Sequence, residues 1–214
     1  IEDLDQDPGK VISIPFGSNY PALVPKEKVL PKKVSDHCNL LFVGKDWERK
    51  GGPLAFETMV KLNEMGLETY LTTVGCKLGE LFRHPNLTVH KFFNTNSVKG
   101  EKRFSDVFRK AHFFFMPSRQ ECAAIAFCDA NHFGLPVITT NTGGITSFVK
   151  NGVNGYTLSV TSKSEEYAKL IFEIYNDETR YQNLCEVSRQ FYEEKLNWKV
   201  WAMEFKKQIS PILL

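Results

Sequence analysis

The sequence lacks the cysteine patterns that hold a metal or a network of disulfides. Its cysteines are odd in number, and no two of them form a C-x-x-C pair: Cys38, Cys76, Cys122, Cys128 and Cys185. This pattern argues against a disulfide framework and a structural zinc site, and it favours a reducing compartment. The histidines show no metal-ligand spacing, so we predict no metal site. His112 and His132 are better explained as structural residues.

Long apolar runs and a strong charge bias are also absent. The longest apolar runs, such as HFFFMP at 112–117, are far shorter than the ~20 residues of a membrane-spanning helix. We therefore predict no transmembrane segment. The formal net charge of +2 over 214 residues is too small to indicate a nucleic-acid partner. The acidic opening IEDLDQDPGK has the character of neither a signal peptide nor a transit peptide, and we expect a cytoplasmic protein.

Short apolar strands alternate with amphipathic helices along most of the chain. The predicted strands lie at 39–44, 69–75, 86–93, 112–117, 135–140 and 156–160. Helices are predicted at 53–65, 101–111, 123–133 and over 164–209, with a short one starting near 143. This alternation predicts an α/β fold, a Rossmann-like, doubly wound parallel sheet of about six strands with helices on both faces. Residues 21–37, rich in Pro and Lys, are predicted to form an irregular, exposed connector.

Ligands of such sheets bind outside the carboxyl ends of the strands, so the loops that leave strands and open helices are the candidate sites. The first, GKDWERKGGP at 44–53, carries Lys45, Arg49 and Lys50 before a glycine-rich helix start. Cations beside a helix N-terminus form an anion site. The alternative is a basic turn solvated at the surface, with Trp47 packed beneath it. Neither a P-loop nor a G-x-G-x-x-G fingerprint occurs in the sequence.

The second loop follows the strand ending at Pro117 and contains Glu121, and Asp129 lies in the next helix. Eight residues of one helix would separate the two carboxylates by about 12 Å along its axis, so separate roles are expected. Small residues at 123, 124 and 126 leave room for a ligand at the helix start. Spacing alone favours the alternative, a loop charge at Glu121 and a solvent-facing helix residue at Asp129.

The third loop, TNTGGITSF at 140–148, is either a further ligand-binding turn or a tight turn that needs glycine.

In this order, the three loops resemble the C-terminal, donor-binding domain of the family 4 retaining glycosyltransferases, which have the GT-B fold. VGKDWERKG (43–51) looks like the family's strand–GR–x4–KG segment, with Lys45 in the Arg position. PSRQECAAIAFCDA (117–130) matches its E-x7-E motif through Glu121 and Asp129. GLPVITTNTGG (134–144) and NGVNG (151–155) follow as in the family, and VISIPFGSN (11–19) is similar to the segment that enters this domain. The resemblance extends over nearly the whole chain.

The resemblance implies a role for each matched residue. Lys45 and Lys50 would bind the donor's diphosphate, Glu121 would face the transferred sugar, and Asp129 would bind the ribose hydroxyls; Glu121, Lys50 and Lys45 are the implied catalytic residues. The implied donor-binding set is Gly44, Lys45, Arg49, Lys50, Gly51, Glu121, Ala123, Ala124, Ile125, Ala126, Asp129, Thr142, Gly143 and Gly144. The implied activity is sugar transfer from a nucleotide-diphosphate sugar with retention of configuration, without a metal or another cofactor.

The sequence departs from the family pattern at several positions. Lys45 replaces an Arg, which exchanges a bidentate fork for a point charge, and Asp129 replaces a Glu with one methylene less reach. Glu-Cys-Ala-Ala (121–124) stands where the family has a glycine-rich E-G-F-G run, and Phe16 stands where Asn is usual. These changes motivate a second hypothesis, a nucleotide-sugar-binding module without turnover. A third hypothesis is another GT-B enzyme, such as a sugar-nucleotide epimerase.

The resemblance also implies a second domain, N-terminal to this one, that binds the acceptor. We expect this chain to be the C-terminal half of a longer protein, with weak donor binding and no turnover by itself. Residues 1–37 are assigned to a leading segment and connector, 38–196 to the donor domain, and 197–214 to a helix that packs on the missing domain. Trp198 and Trp201 of that helix are expected to be partly exposed. Any membrane contact would be peripheral and made through the missing domain.

Overall fold

A six-stranded parallel sheet forms the centre of the molecule. The structure, a computed structural model, describes residue 7, residues 11–20 and residues 23–210. The strands are β1 (His37–Val43), β2 (Glu68–Val74), β3 (Leu87–His90), β4 (Phe113–Met116), β5 (Val137–Thr140) and β6 (Gly155–Leu158), in the order β3-β2-β1-β4-β5-β6. All the pairings are parallel. β4 and β5 are buried along their whole length, as expected for strands covered on both faces. The predicted fold class is confirmed.

The helices follow the strands and cover the sheet. They are α1 (Gly52–Glu64), α2 (Val98–Lys110), α3 (Ile125–His132), α4 (Ser164–Tyr175), α5 (Glu178–Lys195) and α6 (Trp198–Ile209). The strand order runs outward from β1 to β3 in one direction and from β4 to β6 in the other. Right-handed crossovers therefore put α1 and α3 on opposite faces of the sheet. The reversal makes the gap between β1 and β4 the topological switch point, where ligands of such sheets bind.

Local capping explains where several helices begin. Ser97 accepts a hydrogen bond from the Gly100 N–H, so α2 begins three residues before the predicted position. The predicted helical stretch 164–209 is divided into three helices. Asp177 and Asn197 cap the second and third of them by accepting from Arg180 and Val200. The short helix predicted near Gly143 is a 3-10 turn, Gly143–Ser147.

The connector is irregular but not exposed throughout, so that part of the prediction is wrong. Val24, Val29 and Leu30 are buried in the core. Lys32 is buried as well, and its Nζ donates to three carbonyl oxygens at the end of α2, at 2.9–3.1 Å. Burial lowers the pKa of Lys32 to about 8. These contacts hold the connector, which directly precedes β1, against the core and the end of α2. The domain boundary placed at residue 37 stays a prediction.

Candidate functional site

The three loops chosen from the sequence meet at the carboxyl ends of β1, β4 and β5. The Arg119 N–H donates to the Arg49 carbonyl at 2.9 Å, which joins the first loop to the second. The Gly144 N–H donates to the Glu121 carbonyl at 3.2 Å, which joins the third loop to the second. Because β1 and β4 are neighbours in the sheet, these contacts lie at the topological switch point.

Lys50 and Glu121 form an ion pair between the first two loops. Only 15% of the Lys50 side chain and 7% of the Glu121 side chain are exposed, so removing either partner would leave the other as a buried, uncompensated charge. Glu121 is therefore no solvated loop charge. The Lys50 ammonium group has three donors, so it can bind an anionic ligand while it still holds the carboxylate.

The other two cations of the first loop have different surroundings. Lys45 is exposed, and its Nζ lies 5.5 Å from the centre of the Phe92 ring, a cation–π distance. The Arg49 guanidinium is directed to protein partners, the Asp46 carboxylate and the Gln120 carbonyl. Trp47 is buried beneath the loop, as the solvated-turn alternative also required. The loop thus presents Lys45 to solvent and Lys50 to Glu121.

The glycine amides of the first loop are already used by the protein. The N–H groups of Gly51 and Gly52 donate to the carbonyls of Glu48 and Trp47, and Gly44 donates to Val74. Gly51 has φ 78°, and a Cβ there would overlap the Pro117 carbonyl oxygen. Glycine is needed at this position because the loop packs on the end of β4. The glycine amides are therefore not available to an anion, and the lysines are the charged groups that this loop offers to one.

The start of α3 offers free amides instead. In the part of the chain that the structure describes, the N–H groups of residues 123–126 have no hydrogen-bond acceptor. Ala124 precedes the first helical residue, Ile125, and Ala126 follows it. The small side chains leave this end of the helix open, and the helix dipole adds partial positive charge. This arrangement is chemically suited to an anion, and the anion site at this helix start stays a prediction.

The glycine pair of the third loop has a packing role. A Cβ on Gly143, whose φ is 53°, would overlap the Glu121 carbonyl oxygen, and one on Gly144 would overlap that of Cys122. The Thr142 hydroxyl lies 3.4 Å from the Arg119 carbonyl. These contacts favour the tight-turn interpretation of this loop. The Gly144 N–H supports the second loop and is therefore already used.

Asp129 is buried, with 7% of its surface exposed, so the solvent-facing alternative is wrong. Its Oδ1 accepts from the Ser18 hydroxyl at 2.6 Å and from the Asn19 N–H at 2.9 Å. Burial raises the pKa of Asp129 to about 6, and the hydrogen bonds from residues 18–20 oppose that rise. The carboxylate is therefore tied to the segment before the connector, a contact that no local sequence pattern indicated.

A mostly apolar cavity of about 220 Å³ lies beside Asp129. Its other lining residues are Asn19, Tyr20, Val43, Val74, Phe92, Phe93, Thr95 and Phe104. Sequence reasoning did not assign these residues to the site. The position of Phe92 and Phe93, two and three residues after the end of β3, was an available signal, whereas Tyr20 and Phe104 reach the cavity only through tertiary packing.

The histidines singled out from the sequence are structural. His112 Nδ1 accepts from the Asn39 N–H at 2.8 Å, and His132 Nε2 accepts from the Val24 N–H at 2.9 Å. Burial lowers the pKa of each to about 4. Among the described residues, no cluster of three or more His, Cys, Asp or Glu side chains could hold a metal ion. Within the same residues, no helix has the length and apolarity to cross a membrane.

Solved structures with the same fold are glycosyltransferases of the GT-B class. WaaG, a glycosyltransferase involved in lipopolysaccharide biosynthesis, superimposes with a TM-score of 0.71 at 19% identity, covering 94% of this chain and 57% of WaaG. Sucrose-phosphate synthase of Thermosynechococcus elongatus gives 0.69 at 20% identity, covering 94% and 52%. HepE of Anabaena, solved with UDP and glucose, gives 0.67 at 14% identity, covering 82% and 48%.

The sequence assigns the family. The pattern of the family described as Glycosyl transferases group 1 matches residues 26–191, and the chain belongs to that family. It is 28% identical over 133 residues to the uncharacterized glycosyltransferase MJ1178 of Methanocaldococcus jannaschii, covering 60% of this chain and 37% of that protein. It is 23% identical over 175 residues to spore coat protein SA of Bacillus subtilis, covering 75% and 45%. The chain thus spans less than half the length of these relatives.

Proposed function

We propose that this chain is the donor-binding half of a retaining, family 4 glycosyltransferase. In this proposal the enzyme transfers a sugar from a nucleotide-diphosphate sugar to an acceptor. The observation that carries the proposal is the buried Lys50–Glu121 pair at the switch point, beside the free amides of α3 and the cavity at Asp129. A cation, an anion-binding helix start and an apolar cavity with a carboxylate fit the diphosphate, ribose and base of one donor.

Each part of the donor has a chemically suitable partner. The base would occupy the apolar cavity, and the ribose hydroxyls would donate to Asp129. The diphosphate would lie between Lys45, Lys50 and the N–H groups of residues 123–126. Glu121 would accept hydrogen bonds from the transferred sugar. The UDP and glucose in the HepE structure support a nucleotide-hexose as the donor class.

The proposed mechanism stabilises the leaving group with groups fixed in advance. Negative charge accumulates on the diphosphate as the glycosidic bond breaks. The ammonium of Lys50, held by Glu121, and the α3 amides would oppose that charge without reorganising. The acceptor would attack from the face on which the diphosphate leaves, which retains the anomeric configuration. We propose no metal or other cofactor for this step.

The proposal includes a second half that binds the acceptor. The solved relatives are about twice as long as the part that this chain covers. Trp198 and Phe205 on α6 are 44% and 43% exposed, and Trp201 lies between them, edge-on to Trp198 and stacked on Phe205. An apolar helix face of this kind suits burial against another domain. We propose that α6 contacts that half; residues 211–214 of the predicted contact segment lie outside the described residues. We also propose that the enzyme is cytoplasmic, with any membrane contact peripheral and made through the missing half.

One observation favours a second candidate, a nucleotide-sugar-binding module without turnover. Asp129 is already engaged by Ser18 and Asn19, and it is one methylene shorter than the family's Glu. Sugar transfer by the longer protein that contains this chain distinguishes the two. Donor binding with no transfer to any acceptor would favour the module.

The binding site is tested by titrating this chain with nucleotide diphosphates and their hexose derivatives. The informative variant is the double substitution Lys50→Met with Glu121→Gln, because it removes both charges and leaves no buried single charge. We expect about a tenfold or greater loss of affinity and a weaker dependence on salt. Lys61→Ala, at an exposed ion pair on α1, is the control. Unchanged affinity in the double variant would show that the diphosphate binds elsewhere.

A further inference from the structure

Arg49 connects the two loops that carry Lys50 and Glu121. Its Nε donates to Asp46 Oδ2 at 3.1 Å, and its Nη1 donates to the Gln120 carbonyl at 3.0 Å. Its backbone N–H donates to Asp46 Oδ1 at 3.1 Å, and its carbonyl accepts from the Arg119 N–H at 2.9 Å. The residue is thus bonded to its own loop on one side and to the second loop on the other.

The residues next to these contacts are the ion pair itself. Lys50 follows Arg49, and Glu121 follows Gln120. A fixed distance between Arg49 and Gln120 therefore fixes how the ammonium and the carboxylate meet. The second loop is held on its far side by the Gly144 N–H, so Arg49 supplies the contact on the near side.

We propose that Arg49 is a positioning residue of the donor site: it holds the Glu121 loop against the Lys50 loop and does not itself contact the donor. The proposal rests on the proposed function for its catalytic consequence. This role differs from the one that the family resemblance implies, in which Arg49 is a donor ligand.

Charge and geometry favour positioning over phosphate binding. Asp46 lies against the guanidinium, and its carboxylate would repel a phosphate at the same place. The backbone N–H of Arg49, followed by its guanidinium, lowers the pKa of Asp46, which keeps that carboxylate ionised. The planar fork of Arg donates to Asp46 and to Gln120 in different directions, and the single ammonium of a Lys cannot reproduce both contacts.

The contact that Arg49 makes between the two loops is tested first without any ligand. Hydrogen exchange of the Arg119 and Gly144 amides is measured in this chain, in Arg49→Ala and in Arg49→Lys. We expect both variants to exchange Arg119 at least about tenfold faster than the parent, because local opening becomes easier. Arg180→Ala is the matched control, since Arg180 also donates its N–H to an Asp three residues earlier but lies outside the site. Exchange rates equal to those of the parent would overturn the proposal.

The consequence for the donor is tested with UDP and UDP-glucose. We expect Arg49→Ala to bind UDP within about threefold of the parent and to lose the additional affinity contributed by the sugar, which is the loss that we also expect of Glu121→Gln. The double variant Arg49→Ala with Glu121→Gln should lose no more affinity for UDP-glucose than either single variant, because both substitutions act on one contact. An equal loss for both ligands, which indicates a phosphate contact, or no change for either would contradict positioning. If the parent binds neither ligand, the proposed function fails. The exchange experiment still tests whether Arg49 holds the two loops together.

Discussion

Asp129 is a carboxylate whose burial raises its pKa from 3.8 to about 6. A raised carboxyl pKa means that the folded state holds the proton more tightly than the unfolded state. The resulting stabilisation is complete below about pH 3.8 and is lost as the pH rises through about 6. Above pH 6 the fold carries a buried charge, at a cost of up to about 3 kcal/mol for two pKa units. A residue that costs stability at neutral pH is expected to have a role in ligand binding.

We expect Asp129→Asn to raise the free energy of unfolding at pH 7.5 by about 1–3 kcal/mol. The amide oxygen of Asn can still accept from Ser18 and Asn19, while the buried charge is removed. The same substitution should weaken nucleotide binding, because a neutral oxygen accepts weaker hydrogen bonds from a ribose. Urea unfolding and a titration with UDP measure the two effects.

The pH dependence separates charge from packing in this experiment. At pH 4 the parent carboxyl is protonated in the folded state, so the stability gain of Asp129→Asn should largely disappear. Ser18→Ala is the control: it removes a hydrogen bond to the same carboxylate and leaves the charge, so it should destabilise the fold at pH 7.5. A gain of equal size at both pH values would refute the role of the charge.

Among the elements, the turn at Gly143 requires glycine for two reasons. Its φ is 53°, and a side chain there would overlap the carbonyl of Glu121. We expect Gly143→Ala to destabilise the fold by more than the ~1 kcal/mol of a positive-φ glycine substitution, and to weaken binding of UDP-glucose by moving Glu121. Thermal unfolding and the titration check both effects.

Two other glycines provide matched controls for the turn. Gly66 has φ 87° with no atom within 4 Å of an added Cβ, and Gly79 is equally open without a positive φ. Gly66→Ala should show the cost of backbone strain alone, and Gly79→Ala should show almost none. If Gly143→Ala is no more destabilising than Gly66→Ala, the close approach to Glu121 is unimportant.

The strands and the order of the loops were predictable from the sequence, because apolar runs and glycine punctuation are local signals. β1, for example, was placed within two residues of its true start. The α3 start was placed two residues early, at 123. Ala124 has φ −93° and ψ 83°, outside the helical region, and the loop before it is held by contacts to Arg49 and Gly144, which are distant in sequence.

The internal geometry of the site could not be predicted in the same way. The candidates Lys50 and Glu121 were identified, but their contact depends on β1 and β4 being neighbours. The bond from Ser18 to Asp129 spans 111 residues, and the burial of Lys32 depends on the position of the α2 carbonyls. Periodicity contains no information about such partners. The donor-ligand role that the resemblance implies for Arg49 stays a prediction, and the bonds of its guanidinium to protein could not be read from the sequence.

At the scale of the whole molecule, buried histidines link separate layers of the fold. His112 joins the start of β4 to β1 through the Asn39 N–H, and it contacts Tyr175 of α4. His132 joins α3 to the connector through the Val24 N–H, and its ring stacks on Tyr192 of α5. Both rings accept a hydrogen bond through one nitrogen, so protonation of that nitrogen would break the contact.

The fold should therefore lose stability in mild acid. Because the pKa of each histidine falls from 6.5 to about 4 on folding, their contribution is complete above about pH 6.5 and is lost as the pH falls toward 4. Each histidine accounts for up to about 3 kcal/mol of the free energy of unfolding. Protonation of Asp129 stabilises the fold as the pH falls, but it offsets only part of this loss. We expect urea unfolding between pH 7 and 4.5 to show this decline. The double variant His112→Asn with His132→Gln retains an acceptor at each position and should flatten the curve. A decline as steep as that of the parent would assign acid sensitivity to other groups.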